Sequence, residues 1–244
     1  MNDVVVSLSG GMDSTGLLLR LLNEGRKVYA LSFYYGQKHS VELERLKQNL
    51  IYLKEKGFNI EHKIVDLSPI MSLFHSALTE KDFKVPEGHY ADENMKQTVV
   101  PNRNAIFSSL VFGYALSIAT REGKDVDIAL GVHSGDHQIY PDCRPEFYES
   151  IQESFKIGNW DSEKVNYYLP FMFEDKYFIL KDSIDSCKNL DLDFTTIFSN
   201  TNTCYAPNEL GESCGKCGSC TERLEAFEKL RTKDPVSYKS ITNK

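Results

Sequence analysis

The sequence predicts an α/β protein built on a doubly wound, mainly parallel sheet. Two observations predict it. Short β-branched apolar runs alternate with apolar patterns of helical period along the first half of the chain. Several of these runs are followed by a polar, glycine-bearing segment, the kind that gathers at the carboxyl ends of parallel strands.

Residues 4–8, VVVSL, read as a buried strand. Beyond a Gly-Gly turn, Leu17, Leu18, Leu21 and Leu22 fall at helical spacing, and Gly25 is placed to stop that helix. Residues 28–34, VYALSFY, are the second strand, and 41–56 a second amphipathic helix with Leu43, Leu46, Leu50 and Leu53 on one face. Residues 60–67 make a third strand. Residues 68–101, punctuated by Pro69, Pro86, Gly88 and Pro101, suit a long excursion or lid. Residues 104–120, NAIFSSLVFGYALSIAT, are expected as a buried helix, and 126–132 as a further strand. Right-handed β-α-β crossovers would then bring SGGMDS, YYGQKH and HSGDHQIYPDCRPEF to one crevice.

With 244 residues the chain suits a large domain, 1–200, and a C-terminal segment, 201–244, packed on it. A net charge of -7 argues against a general polyanion surface, so nucleic acid is not an expected partner. No apolar run approaches the roughly 20 residues that cross a bilayer. The start, MNDVVVSLSGG, lacks the basic residues and cleavage site of a signal peptide. The expected location is the cytoplasm, where six cysteines read as thiols or metal ligands rather than disulfides.

In SLSGGMDST, residues 7–15, Gly10 and Gly11 allow backbone N–H groups to face a ligand without interference from Cβ. The following helix adds its positive end, and Ser9, Ser14 and Thr15 add hydroxyl donors. That is a phosphate or pyrophosphate cradle, and Asp13 beside it fits a magnesium ligand. The lysine of a G-x-x-x-x-G-K-[ST] loop is absent, as is the G-x-G-x-x-G dinucleotide pattern. Far along the chain, Cys204, Cys214, Cys217 and Cys220 stand at C-x9-C-x2-C-x2-C, with Gly215 and Gly218 permitting a tight knuckle. Four thiolates suit a closed tetrahedral zinc site, and an iron–sulfur cluster would use the same ligands. Cys187 reads as core.

SGGMDS resembles the signature of the ATP pyrophosphatase (PP-loop) superfamily, in which the loop grips the pyrophosphate of ATP while AMP passes to a substrate oxygen. The segments FYYGQKH, VVPNRNAIF, GVHSGDHQIYPDCRPEF and TCYAPNELGESCGKCGSCTER resemble, in order, those of the 7-cyano-7-deazaguanine synthases, the QueC family. The resemblance implies a PP-loop ATP pyrophosphatase domain over 1–200, a zinc-bearing C-terminal segment, and a homodimer. It implies conversion of 7-carboxy-7-deazaguanine to the nitrile with ATP and ammonia. The carboxylate is adenylated and aminated to an amide, and then the amide oxygen is adenylated and expelled. A carboxylate oxygen leaves poorly and AMP leaves well, so positioning and charge stabilisation carry the reaction.

The resemblance implies ATP contacts from Leu8, Ser9, Gly10, Gly11, Met12, Asp13, Ser14 and Thr15, with Mg2+ at Asp13. Catalytic roles fall to Asp13, Arg103, Asp136, Arg144 and Lys176, and substrate contacts to Tyr35, Gln37, Arg103, Asp136, Tyr140, Asp142 and Arg144. Arg103 is a fork for phosphate or carboxylate, or a helix-capping or salt-bridge residue. An acid of the 133–144 loop accepts from the guanine-like edge. Lys176 neutralises phosphate or is a solvated surface lysine. Cys143 is a nucleophile by type, with His133 and His137 near in sequence but no adjacent activating base. The chain departs from the family at Gln138-Ile139, where a Ser-Gly pair is common. That departure motivates an alternative, a defence-system relative joining the deazaguanine to a protein amine. A third reading is a nucleotide-binding module without turnover.

Overall fold

The computed structural model describes residues 1–36, 41–78, 85–88 and 93–239. Five strands, β1 (Asp3–Ser7), β2 (Val28–Tyr34), β3 (Glu61–Asp66), β4 (Val126–Ala129) and β5 (Val165–Tyr168), form one parallel sheet in the order β3-β2-β1-β4-β5. The helices are α1 (Met12–Asn23), α2 (Val41–Glu55), α3 (Ser68–Met71), α4 (Arg103–Glu122), α5 (Pro145–Gly158), α6 (Lys176–Asn189), α7 (Phe194–Ser199) and α8 (Gly218–Lys229).

Side chains alternate across β1. Val4 and Val6 enter a core shared with α1, α2, α6, α7 and α8, and Val5 enters a second core shared with α4 and α5. Helices on both faces make the sheet doubly wound, as the alternation of elements predicts. The strand order reverses between β1 and β4, which opens a crevice beyond their carboxyl ends.

One expectation needs correction and two gain detail. Helix α4 buries only one face: Val111, Phe112, Ala115 and Ile118 are enclosed, whereas Leu110 is 37% exposed. On its open side the Ser109 and Ser117 hydroxyls donate to the Ala105 and Gly113 carbonyls at 2.8 and 2.7 Å, so apolar spelling hides a solvated face. Strand β3 is an edge, with Glu61, Lys63 and Ile64 exposed. The excursion at 68–101 contains α3 and a 3-10 turn at Glu93–Thr98, while 79–84 and 89–92 lie outside the described residues.

The C-terminal segment is stitched to the body. Asn202 N–H donates to the Gly10 carbonyl at 3.1 Å, and Arg45 of α2 donates to the Thr201 and Gly211 carbonyls at 2.7 and 2.6 Å. Arg223 of α8 is buried with every guanidinium nitrogen engaged. Its Nε and Nη2 clasp Asp234 at 2.7 and 2.9 Å, Nη1 reaches the Thr201 and Thr203 hydroxyls, and Nη2 also reaches the Phe198 carbonyl. Among the described residues no helix is long and apolar enough to cross a membrane.

Candidate active site

A cavity of about 240 Å³ opens at the crevice between β1 and β4. Its floor is the glycine loop. Gly10 has φ +90°, and a Cβ there would stand 2.5 Å from the Glu42 carbonyl, so the loop and the start of α2 meet only because the side chain is missing. Gly131, just beyond β4, does the same from the other side: its Cβ would lie 3.1 Å from the Ser14 nitrogen.

The loop is knitted by its own hydroxyls. Ser9 N–H donates to Ser14 Oγ and Gly11 N–H to Ser9 Oγ, both at 3.2 Å, and the two hydroxyls are 3.0 Å apart. Gly11 caps α1 without a side-chain hydrogen bond, which leaves the positive end of the helix to the cavity. Leu8 and Met12 are fully buried and Thr15 nearly so, so the side chains of the two apolar residues serve the core.

Behind Asp13 lies a charged cluster drawn from four elements. Lys176 opens α6, whose N-cap Asp175 accepts from Phe178 N–H at 2.9 Å. The lysine is only 6% exposed, which excludes the solvated-lysine reading. Its Nζ lies 3.0 Å from Asp13 Oδ2, 2.6 Å from His133 Nε2 and 3.4 Å from Glu222 Oε2. His133 Nε2 is 3.4 Å from Asp136 Oδ2. Burial pulls the Lys176 ammonium down, but Asp13, Glu222 and Asp136 outweigh it and hold its pKa above the ordinary value. Burial likewise pushes Asp13 up, and Lys176 and His133 bring it below the usual carboxylate range. Both groups therefore stay charged. Asp13 Oδ1 is buried without a hydrogen-bond partner, an acceptor that suits a hard divalent cation.

The other end of the cavity is aromatic. Phe33 stacks on Phe107 with centroids 4.2 Å apart, Tyr35 tilts against Phe107, and the Arg103 guanidinium lies 5.9 Å from the Tyr35 ring centroid. Glu42 faces Arg103 and Asn202, and burial pushes its carboxyl up to about 7 against the pull of Arg103.

Asp13, Tyr35, Arg103 and Asp136 thus meet around one cavity, and Lys176 reaches it through Asp13. Tyr140 does not line it; its hydroxyl pairs with Thr98 at 2.6 Å and with Tyr205 at 3.3 Å, and Tyr205 is the one that lines the wall. Asp142 stands back from the cavity, and Arg144 is exposed, donating to the His137 carbonyl at 2.8 Å. Gln37 lies outside the described residues, as does the side chain of Gln138. Ile139 is buried in the core, so its apolar side chain does not line the cavity. Cys143 lines it, but burial pushes its thiol well up, and the group it meets is Asn104 Nδ2 at 3.4 Å rather than a histidine. A neutral thiol is a poor nucleophile. Glu42, Tyr205 and Glu222 escaped the sequence reading as site residues, and His133 entered it only as a neighbour of Cys143, because the contacts that bring them to the site form only in the fold.

The cysteines converge as their spacing predicts. One sulfur from each of Cys204, Cys214, Cys217 and Cys220 lies within 4.8 Å of the other three. Backbone N–H groups of Ala206 and Cys214 point at the Cys204 sulfur, at 3.3 and 3.1 Å, and those of Lys216 and Cys217 at the Cys214 sulfur, at 3.4 and 3.3 Å. The neighbouring cysteine sulfurs and the Lys216 N–H hold Cys214 well below the ordinary thiol range. This donor set fits zinc as four thiolates with no open position. Bound zinc would cross-link the segment and fix the start of α8.

The model of the family described as "Queuosine biosynthesis protein QueC" matches residues 3–231. A 7-cyano-7-deazaguanine synthase of Hahella chejuensis is 47% identical over 240 residues, covering 98% of this chain and 94% of the relative. The 7-cyano-7-deazaguanine synthase 1 of Colwellia psychrerythraea is 47% identical over 235 residues, covering 96% and 98%. That of Caldicellulosiruptor saccharolyticus is 46% identical over 234 residues, covering 96% and 94%. With the loop, the cavity and the four-cysteine centre all in place, the chain belongs to the QueC family.

Proposed function

We propose that this chain makes 7-cyano-7-deazaguanine from 7-carboxy-7-deazaguanine, ammonia and ATP. The observation that carries the proposal is identity of 47% over 98% of the chain with a relative of that name. The substrate carboxylate attacks the α-phosphorus of ATP and pyrophosphate leaves. Ammonia then attacks the acyl carbon, AMP departs and a proton is lost, giving the amide. The amide oxygen attacks the α-phosphorus of a second ATP and pyrophosphate leaves; when that AMP departs with the oxygen, the nitrogen gives up its two protons and the nitrile remains.

The chain's residues divide these tasks. Loop N–H groups, Ser9, Ser14 and the end of α1 receive the pyrophosphate, with Lys176 as the cation behind Asp13 and Arg103 as the cation at the aromatic end of the cavity. Asp13 would hold Mg2+, which screens phosphate charge when bound. Tyr35, Phe107 and Tyr205 offer flat surfaces to a heterocycle, and Asp136 or Glu42 accepts from the donor edge of a guanine-like ring. Ile139 turns into the core, so among the described residues its side chain gives no support to a protein amine as acceptor. The reading carries a homodimer with it, which sedimentation velocity would test.

The test is mass spectrometry of purified, metallated protein with 7-carboxy-7-deazaguanine, ATP, magnesium and ammonium. The expected result is AMP together with the amide and then the nitrile. AMP without nitrile would move the chemistry to another acceptor, and no AMP would overturn the proposal.

A further inference from the structure

We propose that Glu222 is a positioning residue for the ATP site: from the helix that begins at the four-cysteine centre, it holds the Lys176 ammonium against Asp13. The proposal rests on the reading of the glycine loop as the ATP site. Helix α8 starts at Gly218 with Cys217 as its N-cap, carries Cys220 in its first turn, and presents Glu222 two residues later. Glu222 Oε2 lies 3.4 Å from Lys176 Nζ, which also meets Asp13 Oδ2 at 3.0 Å and His133 Nε2 at 2.6 Å. Gly135 makes room for it, since a Cβ there would stand 2.8 Å from Glu222 Oε1.

The geometry distinguishes aiming from mere docking. Helix α8 is already seated by Ala226 and Phe227 in the core and by the five-way Arg223 clasp, so its place does not depend on Glu222. A second ion pair joins the same two helices, Lys229 to Asp175 at 3.2 Å, but its members are 62% and 49% exposed and screened by water. Glu222 and Lys176 are 12% and 6% exposed. An ammonium is a point charge on a flexible stem and takes its direction from its partners. With acids on two sides, Lys176 is kept beside the loop. Without Glu222 the ammonium keeps Asp13 and His133 but loses the one acid that holds it from the α8 side.

The variant to make is Glu222→Gln, which keeps shape and removes charge, studied as the zinc-loaded full chain. The readouts are zinc content, calorimetric affinity for MgATP, and KM for each substrate. We expect unchanged zinc, ATP affinity weakened about tenfold, KM for ATP raised to match, and KM for the deazaguanine unchanged. Glu222→Asp, which keeps the charge on a shorter stem, should fall between. Lys229→Met should stay within about twofold on every readout. Wild-type ATP affinity in Glu222→Gln would overturn the proposal, as would equal weakening toward both substrates or loss of zinc, either of which marks a structural role. ATP affinity is read without nitrile formation, so a failure of the proposed reaction would be seen separately.

Discussion

The glycine loop and the cysteine knuckle are built alike and finished differently. Each is a short glycine-bearing turn feeding the N-terminus of a helix that packs on the same core, α1 in one case and α8 in the other. In the knuckle the backbone N–H groups are turned onto sulfur, and four sulfurs close on one point. In the loop the helix end is uncapped by any side chain, and one Asp13 oxygen has no partner. The difference separates holding from handling. An ion meant to stay receives every donor atom, whereas a nucleotide meant to leave finds groups still unpaired.

The strongest way to break the comparison is to open the closed site. Cys217→Ser removes one of four ligands, and thermal unfolding should move down by about 10 °C or more, with zinc lost by elemental analysis. A variant that kept its zinc and its melting temperature would show that the knuckle tolerates an open position. Next in size is Gly10→Ala. A methyl group 2.5 Å from the Glu42 carbonyl, on a backbone at φ +90°, must displace the loop. Calorimetry should show ATP affinity down by about a hundredfold.

A smaller effect sharpens the electrostatic side. Glu42 is raised from 4.5 to about 7 in the folded protein. Between those values the folded chain keeps a proton that the unfolded chain releases, so stability falls as pH rises through that window. Glu42→Gln should remove the slope, and its melting temperature should gain on the parent by a few degrees between pH 5 and 8. Equal shifts at both ends of the range would mean that Glu42 stays ionised throughout. The smallest effect belongs to Arg144→Ala. The side chain is exposed and does not line the cavity, so kcat/KM should stay within about twofold. A large loss would place Arg144 in the site after all.

What the sequence revealed follows a physical pattern. Strands β1, β2 and β4 are legible from their buried apolar runs, and the edge strand β3 from its place in the alternation of elements. Strand β5, VNYY, buries only Val165 fully, so no apolar run marks it. The loop and the four cysteines are legible because their chemistry lies within one stretch of chain. The Lys176 cluster is not, because Asp13, His133, Lys176 and Glu222 meet only after α6 and α8 pack. Tyr140 and Tyr205 show the same limit from the other side. A tyrosine in the right segment turned inward, and one from a distant segment took the wall.

The Arg223 clasp also sets an order of events in the making of the chain. Its counter-ion, Asp234, lies eleven residues further on and leaves the ribosome last among its partners. Until then the guanidinium lacks the carboxylate that fills two of its donor directions. The strip at Thr201 and Thr203, with Asn202 between them and bonded to the Gly10 carbonyl, is then held by Arg45 and by an Arg223 not yet fixed by its counter-ion. The glycine loop, synthesised well before all of these partners, is thus among the last parts to be completed. A translation product ending before Asp234 would carry the whole sheet and an unfinished loop.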